Sequence, residues 1–242
     1  MGMLRHSHLS SCEKGGQETA ESVMAPYKLE NLQQEFDLSG KTAGRLQIYA
    51  DLLTKWQTRI NLIGRKTVPE LWERHFRDSI QLKPFMTDIM DIMDIHDIWI
   101  DVGSGAGFPG LVLAILQSDM DKIIPVHLIE SDQRKTIFLG EVIRATQAPA
   151  IVHNQRIERL EKNNFEGPVR LITARALAPL HEILTLTEKL RENTTKYLLL
   201  KGQDVDRELT QTSKYMKMRL TTHPSRTDPA GRVLEITEVS RV

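Results

Sequence analysis

The stretch Asp101–Gly110, DVGSGAGFPG, places four glycines within eight residues, directly after the apolar run DIWI. Its flanks decide the fold. The spacing of apolar residues predicts strands at IWIDV (98–102), VHLIE (126–130), AIVHN (150–154), VRLITA (169–174) and YLLLK (197–201). Helices are expected between them over 107–117, 133–146 and 179–191. Such alternation is the mark of an open, largely parallel α/β sheet with helices on both faces. Two more strands, near 215–222 and 233–239, are expected to add an antiparallel edge. In such a sheet ligands sit beyond the carboxyl ends of the strands, which is where the glycine stretch falls. Glycine is needed there because the chain turns with positive φ and because a Cβ would hold backbone amides away from a ligand.

Upstream the pattern is helical. After Ser39, a cap residue, Leu46, Tyr49, Leu52, Leu53, Trp56 and Ile60 form one apolar stripe. A second helix is predicted to open at Thr67, with Pro69 in its first turn and Trp72, Phe76, Ser79 and Ile80 facing inward. His75 and Asp78 are read as residues that orient these helices. The triplet-patterned TDIMDIMDIHDI (87–98) fits a short helix or connector. The chain therefore divides into a disordered lead (1–25), a helical region (26–95) and an α/β domain (96–242), and MAPYKLE at Met24 resembles a native start.

Composition narrows the function. Lys plus Arg and Asp plus Glu are 32 each in 242 residues, so bulk attraction to nucleic acid is not evident and any such contact must come from local clusters. GRK (64–66), RHFR (74–77) and KYMKMR (214–219) are such clusters. No window approaches the ~18 apolar residues of a membrane span, and the start lacks a secretory core, so a cytoplasmic protein with no membrane partner is expected. The single cysteine, Cys12, allows no intrachain disulfide. With His6 and His8 it lies in the lead, so no metal is expected.

Two cofactor classes fit the loop. Gly105, Gly107 and Gly110 match the dinucleotide pattern G-x-G-x-x-G, while Gly103, Gly105 and Gly107 match the G-x-G-x-G of S-adenosylmethionine enzymes. Asp101 favours the second: a carboxylate there would repel a pyrophosphate, whereas S-adenosylmethionine has no phosphate and carries cationic groups. Glu130, ending VHLIE, is placed to accept from ribose hydroxyls in either case. Among methyl acceptors, pyrimidine carbon five normally needs a cysteine nucleophile, which the lead cannot position. TARALAPL (173–180) also lacks the paired prolines that often serve exocyclic amines. Guanine N7 already carries a lone pair and needs only positioning.

The segments DVGSGAGFPG, ESDQRKTIFL, NQRIERL, TARALAPL and LLLKGQ, with LLTKWQTRINLI and RHFRDSIQL upstream, resemble the bacterial small-subunit ribosomal RNA guanine-N7 methyltransferases, the RsmG or glucose-inhibited division protein B family. The likeness covers roughly 46–202. It implies a class I, Rossmann-like S-adenosylmethionine-dependent methyltransferase acting on guanine N7 in the 530 loop of 16S ribosomal RNA, free or within the small subunit or its assembly intermediate. By the same resemblance the donor contacts are Gly103, Phe108, Ile157, Glu158 and Arg175, beside Asp101, Gly105 and Glu130 read from the loop and strand end, and Arg175 is the candidate catalytic group. Glu130 stands where the family usually has Asp, Gln57 where it commonly has Asn, and little matches beyond Gly202. Arg74, Arg77, Arg134, Lys135 and Lys201 are expected to line the cleft mouth as RNA contacts. The alternatives are another methyl acceptor, an adenosyl-binding ribosome assembly factor without turnover or, more remotely, a nicotinamide dehydrogenase.

Overall fold

The computed structural model describes residues 26–242. The expected lead, with His6, His8, Cys12 and the start at Met24, lies outside the described residues. Helix α1 (Leu29–Phe36) leads into α2 (Gly40–Gln57). Ser39 caps α2 by accepting from the Thr42 amide at 3.1 Å. The Ser39 and Thr42 hydroxyls both donate to Asp119, each at 2.7 Å, which clasps the start of α2 to the end of a sheet-side helix. The helix expected from Thr67 opens later. Arg65–Thr67 forms a separate 3-10 turn in which the Thr67 hydroxyl donates to the Gly64 carbonyl. A π-helical stretch, Trp72–Arg77, then runs into α3 (Asp78–Ile80) and is followed by α4 (Lys83–Ile92).

The sheet carries β1 (Ile98–Val102), β2 (Val126–Glu130), β3 (Ala150–Asn154), β4 (Val169–Arg175), β5 (Arg191–Lys201), β6 (Met216–Pro224) and β7 (Arg232–Arg241) in the order β3-β2-β1-β4-β5-β7-β6. β1 to β5 pair in parallel, and β7 runs antiparallel between β5 and β6. The connecting helices are α5 (Gly110–Leu116), α6 (Gln133–Thr146), α7 (Leu180–Leu186) and α8 (Val205–Thr212). α5 starts three residues later than its apolar pattern suggests, because Gly107 has φ +99 and the loop is still turning there. α7 ends at Leu186, where the Thr187 hydroxyl turns back to the Ile183 carbonyl, and β5 begins early, at Arg191. α8 was not expected from the sequence. The two strands near the C-terminus are present.

β1 shows how the layers form. Trp99 faces the cluster built from α2, α4, α5 and α6, whereas Ile100 and Val102 face the cluster closed by α7 and α8. Period-two alternation thus buries both faces of one strand. Leu46, Tyr49 and Leu53 of α2 share one continuous buried cluster with Leu113 of α5, Phe138 of α6 and Leu128 of β2. The chain reverses direction across the sheet between β1 and β4, the topological switch point at which an open α/β sheet leaves a crevice.

Candidate functional site: a donor cleft at the switch point

A cleft of about 560 Å³ lies at the carboxyl ends of β1, β2 and β4. Gly103, Gly105, Phe108, Glu130, Ile157, Glu158, Arg175 and Lys135 all line it, so most of the residues singled out in the sequence meet in one place. Gly103 has φ +64 and Gly105 φ +57. A Cβ on Gly103 would run into the Leu177 side chain, while one on Gly105 would meet only the Gly103 carbonyl oxygen, at 3.8 Å, and otherwise open space. Gly105 is therefore the point at which bare backbone faces the cleft.

Glu130 is buried, and its two oxygens are already oriented: Oε2 accepts from the Gly105 amide at 2.9 Å and Oε1 from the Asp132 amide at 2.7 Å. Each oxygen keeps a second lone pair for a ligand hydroxyl. The carboxylate thus braces the loop and holds its remaining acceptor positions in one geometry at the cleft.

Asp101 is placed differently from the sequence expectation. It is fully buried and does not line the cleft; it stands behind the loop, with Oδ1 accepting from Thr173 at 2.7 Å. β-strand alternation turns residue 101 to the Trp99 side, and α5 approaches so closely that a Cβ on Gly110 would lie 2.5 Å from the Asp101 Cβ. Burial pushes the Asp101 carboxyl up to about 6, against the lowering effect of its hydrogen bonds to Thr173 and Ser104 and of the Arg175 charge. Its contribution is to hold the loop from behind. Phe108, too, is largely core. Its ring stacks on Tyr49 at 5.4 Å, meets Phe76 edge-on at 5.3 Å and carries the Arg175 guanidinium at 5.0 Å.

Arg175 ends β4 and is the hub of the cleft. Its Nη1 donates to Asp78 Oδ2 and to the Arg74 carbonyl, both at 3.0 Å, and its Nη2 donates to His75 Nδ1 at 2.7 Å. His75 Nε2 lies 2.7 Å from the Thr67 hydroxyl, which donates to the Gly64 carbonyl. These partners fix one tautomer: Nδ1 accepts from arginine, so the proton is on Nε2. His75 and Asp78 do orient the helical region, and they do so by gripping the cleft. The next residue, Ala176, has φ +51, a left-handed conformation rare for alanine that costs about 1 kcal/mol or more. Nothing in TARALAPL announces it.

Burial, reinforced by the Arg175 and Arg74 charges, pushes the His75 imidazole down to about 3. Since this value is depressed, the stability it confers is present in full above about 6.5 and is lost as pH falls toward 3. From pH 6.5 to 5 the wild-type chain is expected to lose stability relative to His75→Gln, at a rate approaching about 1.4 kcal/mol per pH unit. Urea midpoints of the two chains across that range check this; parallel curves would contradict it.

The expected RNA-facing cations separate into two groups. Arg74, Arg134 and Lys135 stay at the surface or in the cleft wall, with Arg134 paired locally to Asp132. Arg77 does not reach the cleft: it pairs with Glu35 at 2.9 Å and with Glu73 at 3.3 Å and lies over the Tyr27 ring. The Lys201 side chain is only 7% exposed, and its ammonium is held by Glu208 at 2.6 Å and the Ala178 carbonyl at 2.8 Å. Both are committed to structure, because each finds carboxylates within its own fold. Arg156, not singled out beforehand, lines the cleft and is exposed. Gln57 holds the cleft roof, accepting from the Leu62 and Ile63 amides and donating to the Ile63 carbonyl. Among the described residues no group of three metal-ligating side chains occurs, and no helix is long and apolar enough to cross a membrane.

A glycine loop at the switch point of a β3-β2-β1-β4-β5-β7-β6 sheet, with a strand-end acid one strand away, defines a Rossmann-like S-adenosylmethionine-dependent methyltransferase. Solved structures share the fold: a mutant of MtNAS in complex with S-adenosylmethionine superposes with TM-score 0.52 at 12% identity, covering 87% of this chain and 84% of that one. An S-adenosylmethionine-dependent methyltransferase from Aquifex aeolicus gives TM-score 0.50 at 13% identity, covering 70% and 93%. Sequence relatives are nearer. The ribosomal RNA small subunit methyltransferase G of Paramagnetospirillum magneticum is 44% identical over 212 residues, covering 88% of this chain and 96% of its own. That of Rhodospirillum centenum is 42% identical over 214 residues, covering 88% and 92%. The family model described as rRNA small subunit methyltransferase G, GidB, matches residues 42–228, and the chain belongs to that family. The match runs past Gly202, where the sequence likeness was expected to fade.

Proposed function

We propose that the chain methylates guanine N7 in 16S ribosomal RNA, within the cytoplasm, on the small subunit or one of its assembly intermediates. Membership of the family over residues 42–228 carries this reading. Bound S-adenosylmethionine supplies a methyl group on a sulfonium; the N7 lone pair takes the methyl, the sulfur keeps the bonding pair as a neutral thioether, and no proton is displaced. The residues fit that donor: Gly105 opens backbone to the cleft, Glu130 presents oriented acceptors, and the cavity size lies within the roughly 300–1,000 Å³ typical of small-ligand sites.

In this reading Gly103, Gly105 and Ile157 shape the donor pocket and Glu130 and Glu158 accept its hydroxyl or ammonium hydrogens. Asp101 and Phe108 support the pocket from behind, and Arg175 fixes the wall on which the methyl must emerge. His75 has both nitrogens engaged and is held neutral, so it is not free to serve as a base. Guanine N7 requires none. Arg74, Arg134, Lys135 and Arg156 are cations at or near the cleft that RNA phosphates can meet. The 26–95 region belongs to the same working unit, since Leu62, Ile63, Gly64 and His75 line the cleft.

Incubating the purified chain with methyl-labelled S-adenosylmethionine and unmodified 16S RNA or small subunits, followed by nucleoside analysis, is expected to yield 7-methylguanosine. Label in another nucleoside, or donor binding with no transfer, would overturn the assignment.

A further inference from the structure

A second cavity, of about 510 Å³, adjoins the donor cleft and shares with it His75 and the Arg175–Ala178 segment. Its far wall is the β6–β7 turn, residues 225–231, together with Arg232 at the start of β7. That turn is fixed in place. The Thr227 hydroxyl donates to Asp78 Oδ1 at 2.6 Å, and the Arg226 amide donates to Gln81 Oε1 at 2.8 Å. Asp78 therefore joins Arg175 on one side to the turn on the other. The Lys201–Glu208 pair makes a neutral floor.

Polar groups in this cavity remain open to a ligand. Asp228 Oδ1 accepts from the Ala230 amide at 2.9 Å, while Oδ2 has no hydrogen-bond partner among the described residues. Arg232 donates through Nη1 alone, to the Pro229 and Gly231 carbonyls. Arg74 is exposed, and its guanidinium forms no ion pair among the described residues. A carboxylate with one oxygen unpartnered among the described residues, in the lining of a nucleoside-sized space that also holds Arg74 and Arg232, suits a purine nucleotide.

We propose that this second cavity receives the acceptor guanosine, with Asp228 accepting from its N1–H and 2-amino edge and Arg74 and Arg232 meeting the flanking phosphates. The inference rests on the guanine-N7 reading above. If N7 faces the wall shared with the donor cleft, O6 on the same edge meets the Arg175 side, and the edge carrying N1–H and the 2-amino group turns toward the β6–β7 turn. Guanine presents donors there. Adenine would present the N1 lone pair to a carboxylate, so Asp228 would select between the two purines. A base in structured RNA reaches such a cavity only by leaving its stack. The portion of the chain beyond Gly202 thereby acquires a task, reading the acceptor.

The test compares wild type with Asp228→Asn on RNA carrying guanosine or inosine at the target position. Asparagine keeps the Ala230 bond through its carbonyl and puts an amino group where Oδ2 stood, and inosine lacks only the 2-amino group. Wild type is expected to lose about tenfold in kcat/KM on inosine, about 1.4 kcal/mol, the scale of one lost hydrogen bond. Asp228→Asn is expected to raise KM about tenfold on guanosine and to discriminate little between the two substrates. Its Kd for S-adenosylmethionine and its Tm should match wild type, which a merely structural role for the turn would not allow. Equal use of guanosine and inosine by wild type, or a KM for Asp228→Asn within twofold of wild type, overturns this inference alone. No methylation of the guanosine RNA by wild type overturns the reading beneath it.

Discussion

Replacing Gly107 with alanine is expected to destabilise the chain by about 3 kcal/mol or more and to abolish donor binding. The residue has φ +99, and a Cβ there would lie 2.5 Å from the Tyr49 hydroxyl, 2.9 Å from Leu111 Cβ and 3.0 Å from Leu139 Cδ2. The cost combines left-handed strain with overpacking against α2, α5 and α6 at once, and each alone is worth about 1–3 kcal/mol. None of these neighbours can yield cheaply, because Tyr49 and Leu139 are fully buried and Leu111 Cβ is tied to its helix backbone. Thermal or urea unfolding measures the first effect and titration with S-adenosylmethionine the second. Gly105→Ala is the informative comparison: its Cβ meets open space, so stability should fall far less while donor affinity still drops. Equal stability losses at the two positions would contradict this account.

Arg175→Ala is expected to lower kcat/KM for RNA methylation by at least about 100-fold and stability by about 2–3 kcal/mol. The guanidinium satisfies Asp78, the Arg74 carbonyl and His75 Nδ1 together, and its removal leaves a largely buried lone pair on His75 and an uncompensated carboxylate. Arg175→Lys should restore part of the stability and little of the activity. An ammonium cannot fork to Asp78 and His75 as the planar guanidinium does from its place over the Phe108 ring. Wild-type turnover by Arg175→Lys would show that positive charge suffices and that the fixed geometry does not matter.

The sheet was legible from its residues because parallel strands buried on both faces are written as short apolar runs, and IWIDV, VHLIE and QRKTIFLGEVIRAT coincide with β1, β2 and α6. The cleft at the switch point was legible for a related reason: glycines cluster where backbone must be bare. Helix ends were less so. A hydroxyl of Thr67 or Thr187 decides them locally, and the periodicity of apolar residues carries no record of that choice. Side-chain direction was the main loss. Asp101 read as a cleft residue, yet strand alternation faces it to the core, and Lys201 and Arg77 read as free cations until Glu208 and Glu35 came beside them from 7 and 42 positions away along the chain. The second cavity had no sequence signal, since it joins α3 to the β6–β7 turn across 149 positions.

Tyr49 ties a helix of the N-terminal layer to the glycine loop: its hydroxyl donates to the Ala106 carbonyl and its ring lies against Phe108. The loop's order is therefore conditional on that layer. A chain trimmed to begin at β1 would retain every glycine of the motif, yet it would strip the apolar cover from α5 and α6 and unfasten the loop from above. A catalyst cut down to its nucleotide-binding half is therefore expected to lose the order of the glycine loop together with its helical cap.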